Sequence, residues 1–204
     1  MSEPSNRSQI IDGRVPDAPV DAMFLDRWSP RAFSSEPLTE ITILTLLEAA
    51  RWAPSASNEQ PWTYVYATTP DELARFLPLL DKSNQIWVQH APMIAFVMTR
   101  LNLAKSGKPN RHAQFDAGSS WLSLALQARR LGLYAHAMAG FNVEQAHVVL
   151  NAPADKYEIM AAIAIGMYGD VADLDEYNRK RETPSSRKHV SEFAFHGTLP
   201  DIVP

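Results

Sequence analysis

Thr39-Glu40-Ile41-Thr42-Ile43-Leu44-Thr45-Leu46-Leu47-Glu48-Ala49-Ala50-Arg51-Trp52-Ala53-Pro54 is the stretch from which the rest of the chain can be read. Ile43, Leu46, Leu47 and Ala50 recur at i, i+3, i+4 and i+7, so they share one helical face. Thr39 stands where an N-cap hydroxyl is wanted, and Leu38 and Ile43 occupy the staple positions around it. Pro54 lacks the N–H needed to continue the ladder and stops the helix. The pattern predicts a helix over residues 39–53. The polar loop Ser55-Ala56-Ser57-Asn58-Glu59-Gln60 follows at once, and residues 62–68 then alternate and are rich in β-formers, which predicts a strand.

The same reading extends outward. Residues 1–20 carry Pro4, Pro16 and Pro19 with few large apolar groups, and read as a loose arm. A short apolar helix is expected over 21–27. Downstream, residues 71–90 read as one or two short helices punctuated by Pro78. Residues 93–99 and 159–165 read as buried strands, and 134–138 as a shorter one. Residues 112–131 form a long, mostly apolar helix, with Gly132 placed as its C′ residue. A short helix is expected over 143–150. Residues 168–204 are polar and contain proline, and read as an arm that lies on something other than its own core. The sum is an α+β domain with one sheet flanked by helices, spanning 21–204 without an internal boundary.

Composition narrows the chemistry. The 204-residue chain has no cysteine, which removes thiolate catalysis, iron–sulfur clusters and disulfide redox chemistry together. The six histidines lack metal-ligand spacing, and His136 reads as a structural histidine within a strand. The net charge of −4 comes with scattered Lys and Arg, which argues against a nucleic-acid backbone as partner. No apolar run is long enough to span a bilayer, and the N-terminus lacks the apolar core of a signal peptide. These features predict a soluble, cytoplasmic protein.

Two polar segments remain. In Arg27-Trp28-Ser29-Pro30-Arg31, two guanidinium forks flank a hydroxyl, a set that suits phosphate oxygens. Taken alone, the same spacing fits two solvated arginines in a turn. In Pro54-Ser55-Ala56-Ser57-Asn58-Glu59-Gln60, small residues admit a planar ligand and the amides match its polar edge. Alone, this too fits an ordinary loop.

In order, Arg27 to Phe33, the helix ending Glu48-Ala49-Ala50-Arg51-Trp52-Ala53-Pro54-Ser55, and Asn58-Glu59-Gln60-Pro61-Trp62 resemble the nitroreductase family of FMN-dependent oxidoreductases. The resemblance continues through Asn84, Ala91-Pro92, Asp116-Ala117-Gly118, Ala128 with Leu131-Gly132-Leu133, Ala139-Gly140-Phe141, Gly166 and Arg187. It covers roughly residues 22–195.

The resemblance implies a mostly antiparallel sheet flanked by helices, in an intertwined homodimer that exchanges C-terminal arms (about 170–204) and holds each FMN between subunits. It implies Arg27 and Arg187 on the FMN phosphate, with Ser29 adding a hydroxyl and Trp28 beside them. Arg31 is implied near the ribityl chain and ring, where it would stabilise charge on the reduced flavin. Pro54, Ser55, Ala56 and Ser57 are implied along the isoalloxazine, Asn58 and Gln60 at its polar edge, and Asn84 on its pyrimidine side. Met138, Ala139 and Gly140 are implied near N5. The implied activity is ping-pong hydride transfer from NAD(P)H through the flavin to a nitroaromatic, quinone or related small-molecule acceptor. Dehalogenation, ene reduction, flavin fragmentation and non-catalytic flavin storage are the alternatives. No catalytic side chain is implied. The chain departs from the family's usual pattern at Ala139, where an acidic residue is common, and at Trp87, where some members carry lysine.

Overall fold

The computed structural model describes residues 14–200. Part of the expected N-terminal arm, residues 1–13, lies outside the described residues. Four strands form one antiparallel sheet: β1 (Trp62–Ala67), β2 (Met93–Arg100), β3 (Leu133–Met138) and β4 (Tyr157–Met167), in the order β1-β2-β4-β3. Seven helices are described: α1 (Ala22–Asp26), α2 (Glu40–Arg51), α3 (Pro70–Phe76), α4 (Lys82–Val88), α5 (Ala113–Arg130), α6 (Val143–Val149) and α7 (Glu176–Arg179).

The sheet has a core on each face. Ile43, Leu46 and Ala50 of α2 and Leu124, Ala125 and Ala128 of α5 pack on Met93, Ala95, Val97, Ile163 and Ile165. On the opposite face, Ile94, Phe96, Met98, Ala162 and Ala164 meet Phe76, Leu79, Trp87, Val88 and Phe141. Alternate residues of β2 and β4 therefore serve different cores, which is why both read as continuous apolar runs rather than alternating ones.

The ends of the two long helices follow from local chemistry. The Thr39 hydroxyl accepts from the Thr42 N–H at 3.2 Å, and Leu38 joins Ile43 in the same core. Gly132 takes φ +79°, a left-handed turn that glycine enters without steric cost, and β3 begins at the next residue. The close return puts Arg129 beside Tyr134, with the guanidinium 4.0 Å from the ring centroid. The same guanidinium donates to Asp26 at 2.7 Å and to the Leu133 carbonyl at 3.1 Å. This fixes α1, and with it the start of the Arg27 turn, against the α5–β3 junction.

The turn itself is held from the other side. Ser34 N–H donates to Met167 O and Gly169 N–H donates to Ala32 O, both at 3.0 Å, so residues 32–34 run alongside the end of β4. Trp28, Tyr134 and Tyr168 form an aromatic triangle with centroids 5.6–6.0 Å apart.

The polar tail divides in two. Residues 171–182 dock on their own protomer, with Leu174, Asn178 and Glu182 buried. This differs from the expectation of an arm without a core, and the reason is that polar anchors do the docking. The buried Glu182 carboxylate accepts from the N–H groups of Arg31 (2.8 and 2.9 Å) and Ala32 (2.8 Å). Residues 185–200 are exposed throughout, including Phe193 and Phe195.

Replacing Glu182 with glutamine puts an NH2 group against backbone donors that now meet a carboxylate. Glu182→Gln is expected to lower stability by roughly 1–3 kcal/mol in chemical denaturation. Wild-type stability in that variant would contradict the role given to this carboxylate.

Candidate functional site

The docked tail and the 27–31 turn enclose a cavity of about 320 Å³. Its wall includes Arg14, Arg27, Arg31, Arg181 and Arg187, with Trp28, Ser29, Thr183, Ser185 and His136. Five guanidinium groups thus converge with no carboxylate in the lining. Burial, then the positive charge of Arg187, pushes the Arg27 pKa below its ordinary value. Burial, then Arg181, does the same to Arg31. Like charges gathered this closely repel one another, and a bound anion relieves that repulsion.

Arg14 holds the assembly together. It donates to the carbonyls of Leu25 (2.6 Å), Arg27 (2.7 Å) and Ser185 (3.1 Å), tying the Arg27 turn to the tail that carries Arg187. Arg14 falls in the segment expected as a loose arm, and it joins the cavity wall with Arg181, Thr183 and Ser185, none of them among the expected site residues. Arg181 and Thr183 lie a few residues before Arg187, and that proximity was the available signal. Arg14 carries no such signal, because its partners are backbone carbonyls.

His136 lies on β3 at the cavity wall. Its Nδ1 is 2.7 Å from the Pro30 carbonyl, and its ring stacks on Trp87 with centroids 4.6 Å apart. Trp87 is fully buried in the core, so it does not border an open pocket. Burial, only partly opposed by the Pro30 hydrogen bond, pushes the His136 pKa down to about 4, and Arg31, Arg27 and Arg181 push the same way.

A second group lies further along. Asn84, one turn before Trp87 on α4, donates from Nδ2 to the Gly140 carbonyl at 3.0 Å. Asp81 N–H donates to the same carbonyl at 3.0 Å. A Cβ on Gly140 would lie 2.7 Å from Asp81 Oδ2 and 2.8 Å from Asn84 Nδ2, so any other residue here would have to displace those two side chains. Ala139 is exposed beside it. The Met138 side chain is turned into the core instead, a correction to its expected place facing a ring.

The 54–60 loop joins neither group. It sits at the start of β1, and β1 and β3 are the two outer strands of the sheet. Ser57, Asn58 and Gln60 all take positive φ (53°, 56° and 45°), an uncommon concentration for residues other than glycine. The buried Asp116 carboxylate accepts from Ala56 N–H at 3.1 Å, and Ser55 Oγ accepts from Gln60 N–H at 3.0 Å. The Gln60 side-chain amide donates to Asn58 O at 3.2 Å and so turns back on its own loop.

The architecture and the anion-ready cavity define a class, and comparison with known proteins names it. The model of the nitroreductase family matches residues 25–86. A solved structure described as the oxidoreductase containing FMN is 40% identical, with 92% of this chain and 96% of that one covered and a TM-score of 0.87. A 15.4 kDa protein of Mycolicibacterium smegmatis, from the ask 5′ region, is 33% identical over 104 residues, which is 50% of this chain and 69% of that protein. A protein of Exiguobacterium sibiricum solved in complex with FMN shares the fold at 18% identity, with TM-score 0.71 over 89% of this chain and 99% of that one. The chain belongs to the nitroreductase family and has the fold of its FMN oxidoreductases.

His136 carries a pH signature. Its folded pKa of about 4 lies below the ordinary 6.5, so its contribution is present above pH 6.5 and is lost as pH falls through 4. The shift corresponds to a loss on the order of 3 kcal/mol. Denaturation of wild type and His136→Asn at pH 7 and pH 4.5 is expected to show the larger acid loss in wild type. Equal losses would refute the buried neutral ring.

Proposed function

We propose that this chain is an FMN-dependent oxidoreductase that takes hydride from NAD(P)H and passes it to a nitroaromatic, quinone or related organic acceptor in ping-pong fashion. The observation that carries the reading is the convergence of Arg27, Ser29, Arg31 and Arg187 on one carboxylate-free cavity. Its volume of about 320 Å³ is at the low end of ligand sites, suited to the phosphate end of a cofactor whose ring extends beyond it. The donor set fits the group: planar forks and a hydroxyl match phosphate oxygens.

Arg27 and Arg187 hold the phosphate, and Ser29 adds a hydroxyl. Trp28 walls the same end. Arg31 supplies a fixed positive charge toward the ribityl chain and the N1–C2 end of the ring, which favours the reduced form. Asn84, Ala139 and Gly140 border the ring. When bound, FMN supplies hydride acceptance and donation at N5. The protein contributes binding, orientation and charge, with no side-chain acid, base or nucleophile in the reaction.

The loop at Pro54, Ser55, Ala56, Ser57, Asn58 and Gln60 reaches the ring from a second copy of the chain. Its place on the sheet edge opposite the arginine cavity supports this, since one protomer does not bring the two together. Ile41 and Trp52 of the α2 region and Phe115 of α5 are 70–77% exposed, apolar surface of the kind a homodimer buries. The exposed tail with Phe193 and Phe195 gains burial by crossing to the same partner. The assembly works in the cytoplasm.

The purified protein should be yellow, release FMN on denaturation, and oxidise NADH or NADPH with a quinone or nitroaromatic. Arg27→Ala should retain less FMN than Arg51→Ala, because Arg51 pairs with Glu48 on the surface. A colourless protein that takes up no FMN, or equal retention by the two variants, would overturn the assignment.

A further inference from the structure

The fixed histidine in the cavity wall has a chemistry that its structural role leaves unused. The Pro30 carbonyl can only accept, so His136 Nδ1 must carry the proton and donate to it. In the neutral ring, Nε2 is then an acceptor with no proton of its own. The ring is held in place by its stack on buried Trp87, and Nε2 makes no hydrogen bond among the described residues. The rest of the wall is mostly donor: Arg27, Arg31, Arg181, Arg187 and the Trp28 indole N–H cannot accept.

An anionic ligand satisfies those donors but offers Nε2 nothing, unless it also carries a hydroxyl. We infer that His136 Nε2 accepts a hydrogen bond from a hydroxyl of the bound ligand, so that the cavity selects a polyol phosphate ester over an alkyl phosphate of the same length. This rests on the FMN reading, in which the ribityl hydroxyls are the donors. Burial and the three neighbouring arginines keep the ring neutral, and hence an acceptor, at ordinary pH.

The test is competition for FMN binding to the FMN-stripped protein, followed by flavin fluorescence, using ribitol 5-phosphate and n-pentyl phosphate. Both are five-carbon phosphate monoesters and differ in their hydroxyls. Wild type should favour ribitol 5-phosphate by roughly 3- to 10-fold, the range of one net hydrogen bond. In His136→Asn, whose amide still reaches Pro30 but not the Nε2 position, the ratio should fall toward one. His136→Gln, which places an amide oxygen near Nε2, should recover part of it. The ratio is read within each variant, so general loosening of the site cancels. Equal competition in wild type, or an unchanged ratio in His136→Asn, overturns the inference while leaving the FMN reading standing. Wild type that binds no FMN at all overturns the FMN reading, and the inference with it.

Discussion

Like charges must be forced together, and the end of the molecule around Arg27 is organised by that requirement. Arg14, Arg27, Arg31, Arg181 and Arg187 surround one small cavity, and their mutual repulsion together with burial opposes the arrangement. What holds them is mostly backbone chemistry. Glu182 clasps the N–H groups of Arg31 and Ala32, and Arg14 spans three carbonyls from the turn to the tail. Arg129 anchors α1 through Asp26. Glu182 and Asp26 offset part of that charge, and the remaining positive surplus supports the reading of the cavity as an anion site.

The sheet then distributes the remaining parts. β3 carries His136 at the cavity and leads on to Gly140, against which the side chains of Asp81 and Asn84 pack closely. β1 begins at the opposite edge, behind a loop with three left-handed residues that is tied to Asp116 through the Ala56 N–H. The separation explains why the proposed site needs a second copy. In the proposed dimer, one chain supplies the phosphate end and the glycine floor, and the other supplies the 54–60 loop.

The sequence made the fold legible because its signals were local. Ile43, Leu46 and Ala50 recur at helical spacing, Thr39 caps α2, and Gly132 ends α5, and each of these acts within a few residues of itself. Strand ends were less visible: β4 starts at Tyr157 and ends at Met167, beyond the apolar run, because its ladder to β2 and β3 is made by backbone groups. The arginines of the 27–31 turn and Arg187 were found through their order in the chain. Arg14 and Glu182 were not, since both act on backbone partners more than ten residues away and leave no periodic trace. Met138 was misplaced for a related reason. Side chains alternate along β3, so Met138 shares a face with Tyr134 and His136, but at its end of the strand that face is covered by the cluster that holds Phe96 and Phe141.

The central claim is that the arginine cavity grips a phosphate. Equilibrium titration of the FMN-stripped protein with FMN and with riboflavin, which differs only in lacking that phosphate, tests it most directly. The account predicts that FMN binds at least about a hundredfold more tightly, equivalent to roughly 3 kcal/mol, and that the preference shrinks as salt is raised. Equal affinity for the two flavins would contradict it.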